Sequence, residues 1–323
     1  VAQTLAKGTN YSLTGFVTGE GTGIELAAVT GKYADKNAAA DKAVTFGGLT
    51  LTGTGAGNYV LNKTALTGIG TISPKQLNLA LTSGARFDKT YDGNANVTQS
   101  LTKDGNYTLS NFVNGEGADI ALAPVTGTYT DKNAGTGKTV TFGGLTLTGT
   151  GAGNYTLDKT TLTGKGTIAR RALTLGAVAA QTKTYDGTTD ADTSKFGAVL
   201  NNVVAGEENL VKATASGATY NSKDVATAGT VGYTGVALAG AEAGNYTLAA
   251  TTAQGAGTIS RRALTVDTVA AQSKTYDGTT AAYAAAFRAT LGNLVTGEES
   301  SVTATAAGAA YNSKDVAQAN AVS

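Results

Sequence analysis

Apolar and polar residues alternate along short stretches of this chain, which is the pattern of half-buried β-strands. Residues 140–148 alternate in this way, but the parity changes across Gly143-Gly144. One extra residue in a strand changes the parity, and glycine often occupies it, so the sequence predicts a β-bulge or sharp bend at this pair. The same alternation predicts strands at residues 77–81, 155–157, 173–175, 246–248 and 264–266.

Turn signals such as Asp92-Gly93 and Lys132-Asn133 separate the predicted strands at short intervals. This cadence is typical of a small β-sandwich or an open barrel. A short helix is the alternative over residues 192–203 and 283–294, where alanine is frequent, and it would indicate a β-grasp-like unit. The corresponding residues 97–112 are predicted to form strand. We therefore expect an all-β chain of small sandwich, Ig-like or β-grasp-like domains, with at most one short helix per unit.

Several motifs recur at the same intervals and divide the chain into repeats. Gly-Asn-Tyr has its asparagine at 58, 154 and 245, which are 96 and 91 residues apart, and Gly-Glu, Tyr-x-x-Lys-Asn/Asp and Gly-Thr-Ile follow the same intervals. If a unit starts after Gly-Thr-Ile, complete repeats lie at residues 73–168 (repeat 2) and 169–259 (repeat 3), between incomplete repeats at 1–72 (repeat 1) and 260–323 (repeat 4). A circularly shifted phase fits the repeats equally well. We expect a segment of a longer array, an elongated rod in which each repeat touches its neighbours.

Composition excludes several kinds of chemistry. The 323 residues include no Cys and no His, which excludes thiolate nucleophiles, disulfides and Cys/His zinc sites. With 24 basic and 23 acidic residues the net charge is +1, so no nucleic-acid partner is expected. No apolar run approaches the ~20 residues needed to span a bilayer. No carboxylate pair suggests a glycosidase, and we do not expect an enzyme.

The recurring Tyr-Asp-Gly and Gly-Asn-Tyr motifs are predicted to be turns. In Tyr-Asp-Gly the aspartate would cap its own backbone, the glycine would supply a positive φ and the tyrosine would pack alongside. Calcium binding through the aspartates is the alternative, but one carboxylate per motif falls short of the about six oxygen ligands that calcium needs. No cofactor is therefore expected. The predicted turn residues are Tyr91, Asp92, Gly93, Tyr185, Asp186, Gly187, Tyr276, Asp277 and Gly278, together with Asn58, Asn154 and Asn245 in turn or left-handed positions.

A sharper hypothesis is a spontaneous Lys–Asn isopeptide crosslink assisted by a carboxylate, as in some extracellular stalk domains. Each repeat offers a recurring lysine, asparagine and glutamate, and the candidates in repeat 2 are Lys132, Asn154 and Glu116. The Tyr-x-x-Lys-Asn/Asp block that contains Lys132 is otherwise predicted to be a polar hairpin end. An intact mass without loss of ammonia would exclude the crosslink.

The runs Lys-Thr-Tyr-Asp-Gly-Thr-Thr at 183–189 and 274–280, Val-Val-Ala-Gly-Glu-Glu at 203–208 and Ala-Gly-Asn-Tyr-Thr-Leu at 243–248 resemble the YDG repeats of large bacterial surface proteins. That group is compared with mucin-binding β-grasp domains, and the resemblance covers essentially the whole chain. It implies tandem repeats in a filamentous-haemagglutinin-like adhesin at the bacterial cell surface, often exported by two-partner secretion. It carries over no binding residues, because such repeats usually serve as stalk.

Two functions therefore remain open. The first is a rigid stalk or fibre segment of an extracellular adhesin, in which the partners are the neighbouring repeats. A variant of it has repeats of different copies completing one another by strand addition to form a filament. The second is a module that binds extracellular polysaccharide or host glycan weakly and gains avidity from repetition, which predicts an exposed aromatic platform in each repeat.

Overall fold

The computed structural model describes residues 4–323, which form β-strands and single 3-10 turns without an α-helix. The chain divides into two compact units, the first ending at Ala169 and the second beginning at Arg170, and each unit contains two repeats. The all-β prediction is confirmed, but the helix alternative is wrong. Residues 192–203 contain a 3-10 turn at Thr193–Lys195, and residues 283–294 contain one at Ala284–Ala286, and in both a strand follows.

In the first unit, 3-10 turns lie at Ala56–Asn58 and Ala152–Asn154. The strands of repeat 1 are β1 (Glu25–Leu26), β2 (Lys32–Tyr33), β3 (Ala39–Gly47), β4 (Leu51–Thr52) and β5 (Ala65–Ile72). Those of repeat 2 are β6 (Lys75–Leu81), β7 (Lys89–Thr90), β8 (Tyr107–Ser110), β9 (Ala121–Leu122), β10 (Thr128–Tyr129), β11 (Gly135–Phe142), β12 (Leu147–Thr148), β13 (Tyr155–Leu157) and β14 (Leu162–Ala169).

In the second unit, a further 3-10 turn lies at Ala243–Asn245. The strands of repeat 3 are β15 (Arg171–Val178), β16 (Gln181–Thr184), β17 (Ala198–Asn201), β18 (Lys212–Thr214), β19 (Gly217–Tyr220), β20 (Thr230–Thr234), β21 (Ala237–Ala239), β22 (Tyr246–Leu248) and β23 (Thr252–Ser260). Those of repeat 4 are β24 (Thr265–Val269) and β25 (Ala289–Gly292).

Repeats 2 and 3 share one pattern of strand pairing. In repeat 2, β6 lies between antiparallel β8 and parallel β13, while β14 lies between parallel β7 and antiparallel β11. In repeat 3, β15 lies between β17 and β22, and β23 lies between β16 and β20, with the same directions. The first strands of a complete repeat therefore lie beside its last strands, and this pairing closes the core.

The alternating residues fill that core as predicted. Leu77 and Leu79 on β6 are 0% and 1% exposed, and Phe142 at the end of β11 is fully buried. The predicted bend at Gly143-Gly144 is confirmed: β11 ends at Phe142, Gly144 has φ +66°, and β12 then pairs with β9 in a separate sheet. The bend allows side chains on both sides of it to point into the core. The strand predicted over residues 97–112 is limited to β8.

A glycine in each of repeats 1 to 3 allows two loops to pass at close range. Gly149 has φ +106°, and a Cβ at this position would overlap the carbonyl oxygen of Asp119. Gly53 and Gly240 occupy the equivalent positions with the same conformation and the same kind of overlap. No other residue type fits here, because both the left-handed backbone and the missing side chain are required.

Repeats 1 and 4 have cores that are open on one side. In the described part of repeat 1, a groove of about 450 Å³ lined by Leu13, Leu26, Phe46 and Leu66 lies where β6 lies in repeat 2. Repeat 4 has β24 paired with β25, but within the described chain nothing pairs with its other edge. Leu264, the counterpart of the buried Leu173, is accordingly 39% exposed.

This difference predicts unequal effects of one substitution at two equivalent positions. Leu77→Ala should lower the free energy of unfolding by about 2–5 kcal/mol, because it leaves a cavity in a closed core. Leu264→Ala should have less than half that effect, because water already reaches the side chain. Urea unfolding followed by tyrosine fluorescence measures both. Equal losses would contradict the open core of repeat 4.

Candidate functional site

The Lys-Thr-Tyr-Asp-Gly motif forms a turn that is stabilised by hydrogen bonds from its own lysine. In repeat 3, Lys183 Nζ donates to Asp186 Oδ1 at 2.8 Å and to the carbonyl oxygens of Thr188 and Asp190 at 2.9 and 3.0 Å. Asp186 Oδ1 also accepts the N–H of Thr188 at 3.0 Å, and Gly187 has φ +80°. The predicted tight turn, with the aspartate capping its own backbone, therefore lies at this position.

The same arrangement is found in repeats 2 and 4. Lys89 Nζ lies 2.6 Å from Asp92 Oδ1, and Lys274 Nζ lies 2.9 Å from Asp277 Oδ1. The hydrogen bond from Lys274 and those from Thr279 lower the pKa of Asp277 to about 2. The lysine side chain is only 3% exposed in repeat 2. Removing its aspartate there would leave a buried charge without its partner.

The lysine also connects two motifs of one repeat. Its ammonium lies over the ring of the tyrosine that begins the Tyr-x-x-Lys-Asn/Asp block, at 5.5 Å for Lys89 and Tyr129 and 5.3 Å for Lys183 and Tyr220. The aspartates considered as calcium ligands thus accept hydrogen bonds from ammonium groups. Among residues 4–323 no cluster of three or more acidic, His or Cys residues could hold a metal ion.

The Gly-Glu and Gly-Asn-Tyr motifs meet in a hydrogen bond within each of repeats 1 to 3. Tyr155 Oη donates to Glu116 Oε2 at 2.6 Å, and Tyr246 Oη donates to Glu207 Oε2 at 2.6 Å. Tyr59 donates to Glu20 in the same way, and the two residues are 39 apart in all three repeats. Burial and the bond to Glu207 raise the pKa of Tyr246 to about 12.

In the first unit, residues of repeat 1 contact the Gly-Glu and Gly-Asn-Tyr motifs of repeat 2. Lys36 Nζ donates to Glu116 Oε1 at 2.6 Å, and the N–H of Ala38 donates to Asn154 Oδ1 at 2.7 Å. The Asn154 amide donates in turn to Asn37 Oδ1 at 3.2 Å. The Lys36 hydrogen bond, with that from Tyr155, lowers the pKa of Glu116.

In the second unit, repeat 3 contacts the Gly-Glu motif of repeat 4. Tyr185 Oη donates to Glu298 Oε1, and this bond raises the pKa of Tyr185. Glu298 occupies the position of Glu116, and in both units the oxygen that faces the preceding repeat is Oε1. In repeats 2 and 3 the other oxygen, Oε2, bonds to the tyrosine of the same repeat.

The residues considered for a crosslink have the following neighbours in the structure. Lys132 Nζ lies 5.8 Å from the ring centroid of Tyr91, whereas the lysine within hydrogen-bond distance of Glu116 is Lys36 of the preceding repeat. Asn154 faces Asn37 and Ala38. The isopeptide hypothesis remains a prediction.

The recurring asparagines Asn58, Asn154 and Asn245 are each the last residue of a 3-10 turn. They thus occupy turns, the first of the two positions expected for them, and the left-handed conformation is found at Gly55 and Gly151, with φ 83° and 82°. Sequence reasoning did not single out the turn lysines or the Glu–Tyr pairs. The constant separation of 39 residues was the signal that could have identified the pairs.

Comparison with protein families gives four matches along the chain. The YDG domain matches at residues 2–66, 73–162, 169–253 and 260–323. No curated protein and no solved structure matches the chain. Across residues 4–323 the structure contains no helix of the length and hydropathy that a membrane-spanning helix requires.

The Glu207–Tyr246 pair predicts a specific alkaline effect. The folded chain raises the pKa of Tyr246 from about 10 to about 12, so the neutral phenol stabilises the fold below pH 10. This contribution should be lost as the pH rises from about 10 to about 12. Tyr246→Phe should flatten the dependence in that window, and Tyr276→Phe, at a tyrosine that is 61% exposed, should not. Urea unfolding at several pH values measures this, and an unchanged slope in Tyr246→Phe would contradict the assignment.

Proposed function

The chain belongs to the YDG domain family, and from this premise we propose that it is a structural stalk or fibre segment of a secreted bacterial surface adhesin. In this role it projects or links cells in adhesion or in a biofilm matrix, and its location is extracellular. Its principal partners are the neighbouring repeats of its own chain. The sequence resemblance to YDG repeats of large surface proteins supports this setting.

One observation carries the structural role: motif residues link one repeat to the next in each unit. Lys36 reaches Glu116 in the first unit, and Tyr185 reaches Glu298 in the second. Residues of recurring motifs are thus used to join copies, as expected of an array in which each repeat contacts its neighbours. A flexible string of beads would not need recurring side chains at its junctions.

The state of the recurring acidic residues also favours a structural role over catalysis. The aspartates of the turns are ion-paired with lysines, and the Gly-Glu carboxylates accept hydrogen bonds from tyrosines. Exposed aromatic side chains do not recur from repeat to repeat, since within residues 4–323 the strongly exposed ones are Tyr276 and Tyr283, both in repeat 4. This gives little support to a glycan platform in every repeat.

Small-angle X-ray scattering with light scattering over a concentration series tests the stalk. We expect a mass of 32.1 kDa at every concentration and a scattering curve with the constant cross-section of a rod. A compact, globular curve would overturn the proposal. Glycan-array binding that increases with the number of repeats would favour the binding module instead.

A filament formed by strand addition is the second candidate, and the open core of repeat 1 favours it. In repeat 2, Tyr155–Leu157 pairs in parallel with β6, and Leu77 and Leu79 enter the core. The equivalent residues 59–61 of repeat 1 have no strand partner in the described chain. In a second copy, Leu264, which directly precedes β24, and Val266 on β24 take the positions of Leu77 and Leu79. The free edge of β24 could therefore enter the groove, and such head-to-tail contacts generate filaments.

An intermolecular disulfide tests this second candidate, because the chain contains no Cys. The pairing of repeat 3, where Ala172 faces Thr247, places Ala263 of one copy opposite Val60 of another. A mixture of Val60→Cys and Ala263→Cys chains should form a mixed disulfide, and the mass of the unmodified chain should increase with concentration. Each variant alone is the control. A constant mass and no mixed disulfide would exclude strand addition.

A further inference from the structure

The Tyr-Asp-Gly turn of repeat 3 lies directly against repeat 4. Tyr185 Oη donates to Glu298 Oε1, and Tyr185 is half-buried as a result. A Cβ on Gly187 would lie 2.8 Å from Val295 Cγ1, which is closer than real Cβ atoms approach a neighbour. Glycine is therefore favoured at 187 for two reasons. Its φ is +80°, and Val295 occupies the space that a side chain would need.

The surface that the turn contacts is a preformed feature of every repeat. Val295 and Glu298 belong to a Val-x-Gly-Glu segment in which the glutamate N–H donates to the valine carbonyl oxygen at 3.0 Å. We refer to this segment as the Val-Glu turn. The same sequence and the same backbone bond recur in the other repeats, at Val17 and Glu20 (2.8 Å), Val113 and Glu116 (2.9 Å), and Val204 and Glu207 (3.0 Å).

The exposure of these valines differs between the repeats, and Val204 is half-buried. Val295, which faces Gly187, is half-buried. Val17 and Val113 are 63% and 47% exposed. In the first unit, Lys36 reaches Glu116 Oε1, the oxygen equivalent to the one that Tyr185 reaches on Glu298. The carboxylate contact can thus be made by another donor, whereas the turn glycine of repeat 3 packs directly on Val295.

The copy of the motif in repeat 4 has the same local geometry, and no other repeat of the described chain packs on its glycine. Gly278 has φ +76°, and the nearest atom to a Cβ placed on it is Tyr276 Oη of its own turn, at 4.0 Å. Tyr276 is 61% exposed. The positive φ and the lysine–aspartate bond are therefore intrinsic to the turn, whereas the burial of Tyr185 comes from the contact with repeat 4.

We propose that the Tyr-Asp-Gly turn is the docking element by which one repeat holds the next, and that its partner is the Val-Glu turn of a YDG repeat. The phenol donates to the carboxylate, and the side-chain-free Gly187 receives the valine methyl groups. This contact sets the orientation of repeat 4 relative to repeat 3. The inference rests on the proposed structural role and deepens it by naming the joint.

Pulsed electron–electron double resonance on the full chain tests the joint, because it measures the distribution of distances between two spin labels. The chain has no Cys, so two engineered cysteines are the only labelling sites. Spin labels at Val199→Cys in repeat 3 and Tyr283→Cys in repeat 4 occupy exposed positions away from the contact. The otherwise unmodified chain should give one narrow distance distribution. A broad distribution would overturn both the docking contact and the proposed rigid stalk.

Two variants then probe the contact, each with a matched control at the exposed copy. Tyr185→Phe removes the hydroxyl, and Tyr276→Phe removes the equivalent one that has no neighbouring repeat. Gly187→Ala strains the backbone and displaces Val295, whereas Gly278→Ala only strains the backbone. We expect a distribution about twice as wide for the variants at 185 and 187, because repeats without a fixed interface move relative to each other.

The two control variants should leave the distribution unchanged. Thermal unfolding by circular dichroism confirms that each variant is folded, and Gly278→Ala measures how much the backbone strain alone destabilises the turn. If the distribution is narrow in the parent chain and stays equally narrow in both Tyr185→Phe and Gly187→Ala, the docking role is overturned while the stalk proposal stands. The readouts therefore separate failure of the joint from failure of the proposed function.

Discussion

The parallel pairing of the first and last strands of a repeat is the constraint on which the rest of the structure depends. In repeat 3, β15 lies beside β22 and β16 beside β23, so the two ends of the repeat close one core. A domain of this size has little apolar surface to spare, and its stability depends on this closure. Where the pairing is complete, Leu173 and Ile259 are buried; in repeat 4, where β24 has a free edge, Leu264 is exposed.

The Gly-Glu glutamate connects this internal closure to the contact with the preceding repeat. In repeat 2 one carboxylate oxygen is held by Tyr155 and the other faces Lys36 of repeat 1. The tyrosine is the first residue of β13, so the pairing that closes the core also positions the carboxylate for the neighbour. Lys36 is 77% exposed, and an ion pair so exposed contributes little to stability. Its contribution is to orientation.

Much of the local structure could be predicted from the sequence, because strand alternation and glycine bends depend on nearby residues. The strand containing Leu77 and the bend at Gly143-Gly144 are examples. Residues 283–294 were misread because alanine favours helix in isolation, whereas here the segment after Ala286 gains more by pairing as β25 with β24. The contacts between motifs were beyond local reasoning, since 80 residues separate Lys36 from Glu116 and 113 separate Tyr185 from Glu298.

The direction of the closing strands has a mechanical consequence. A tension applied through the two ends of repeat 3 would pull the start of β15 and the end of β23 in opposite senses. Each of these strands has a parallel neighbour, β22 and β16 respectively, along which it would have to slide. Sliding loads all the hydrogen bonds of a ladder at the same time, whereas peeling breaks them one after another. The repeat is therefore built to resist stretching along the chain more strongly than forces that peel a strand from its edge.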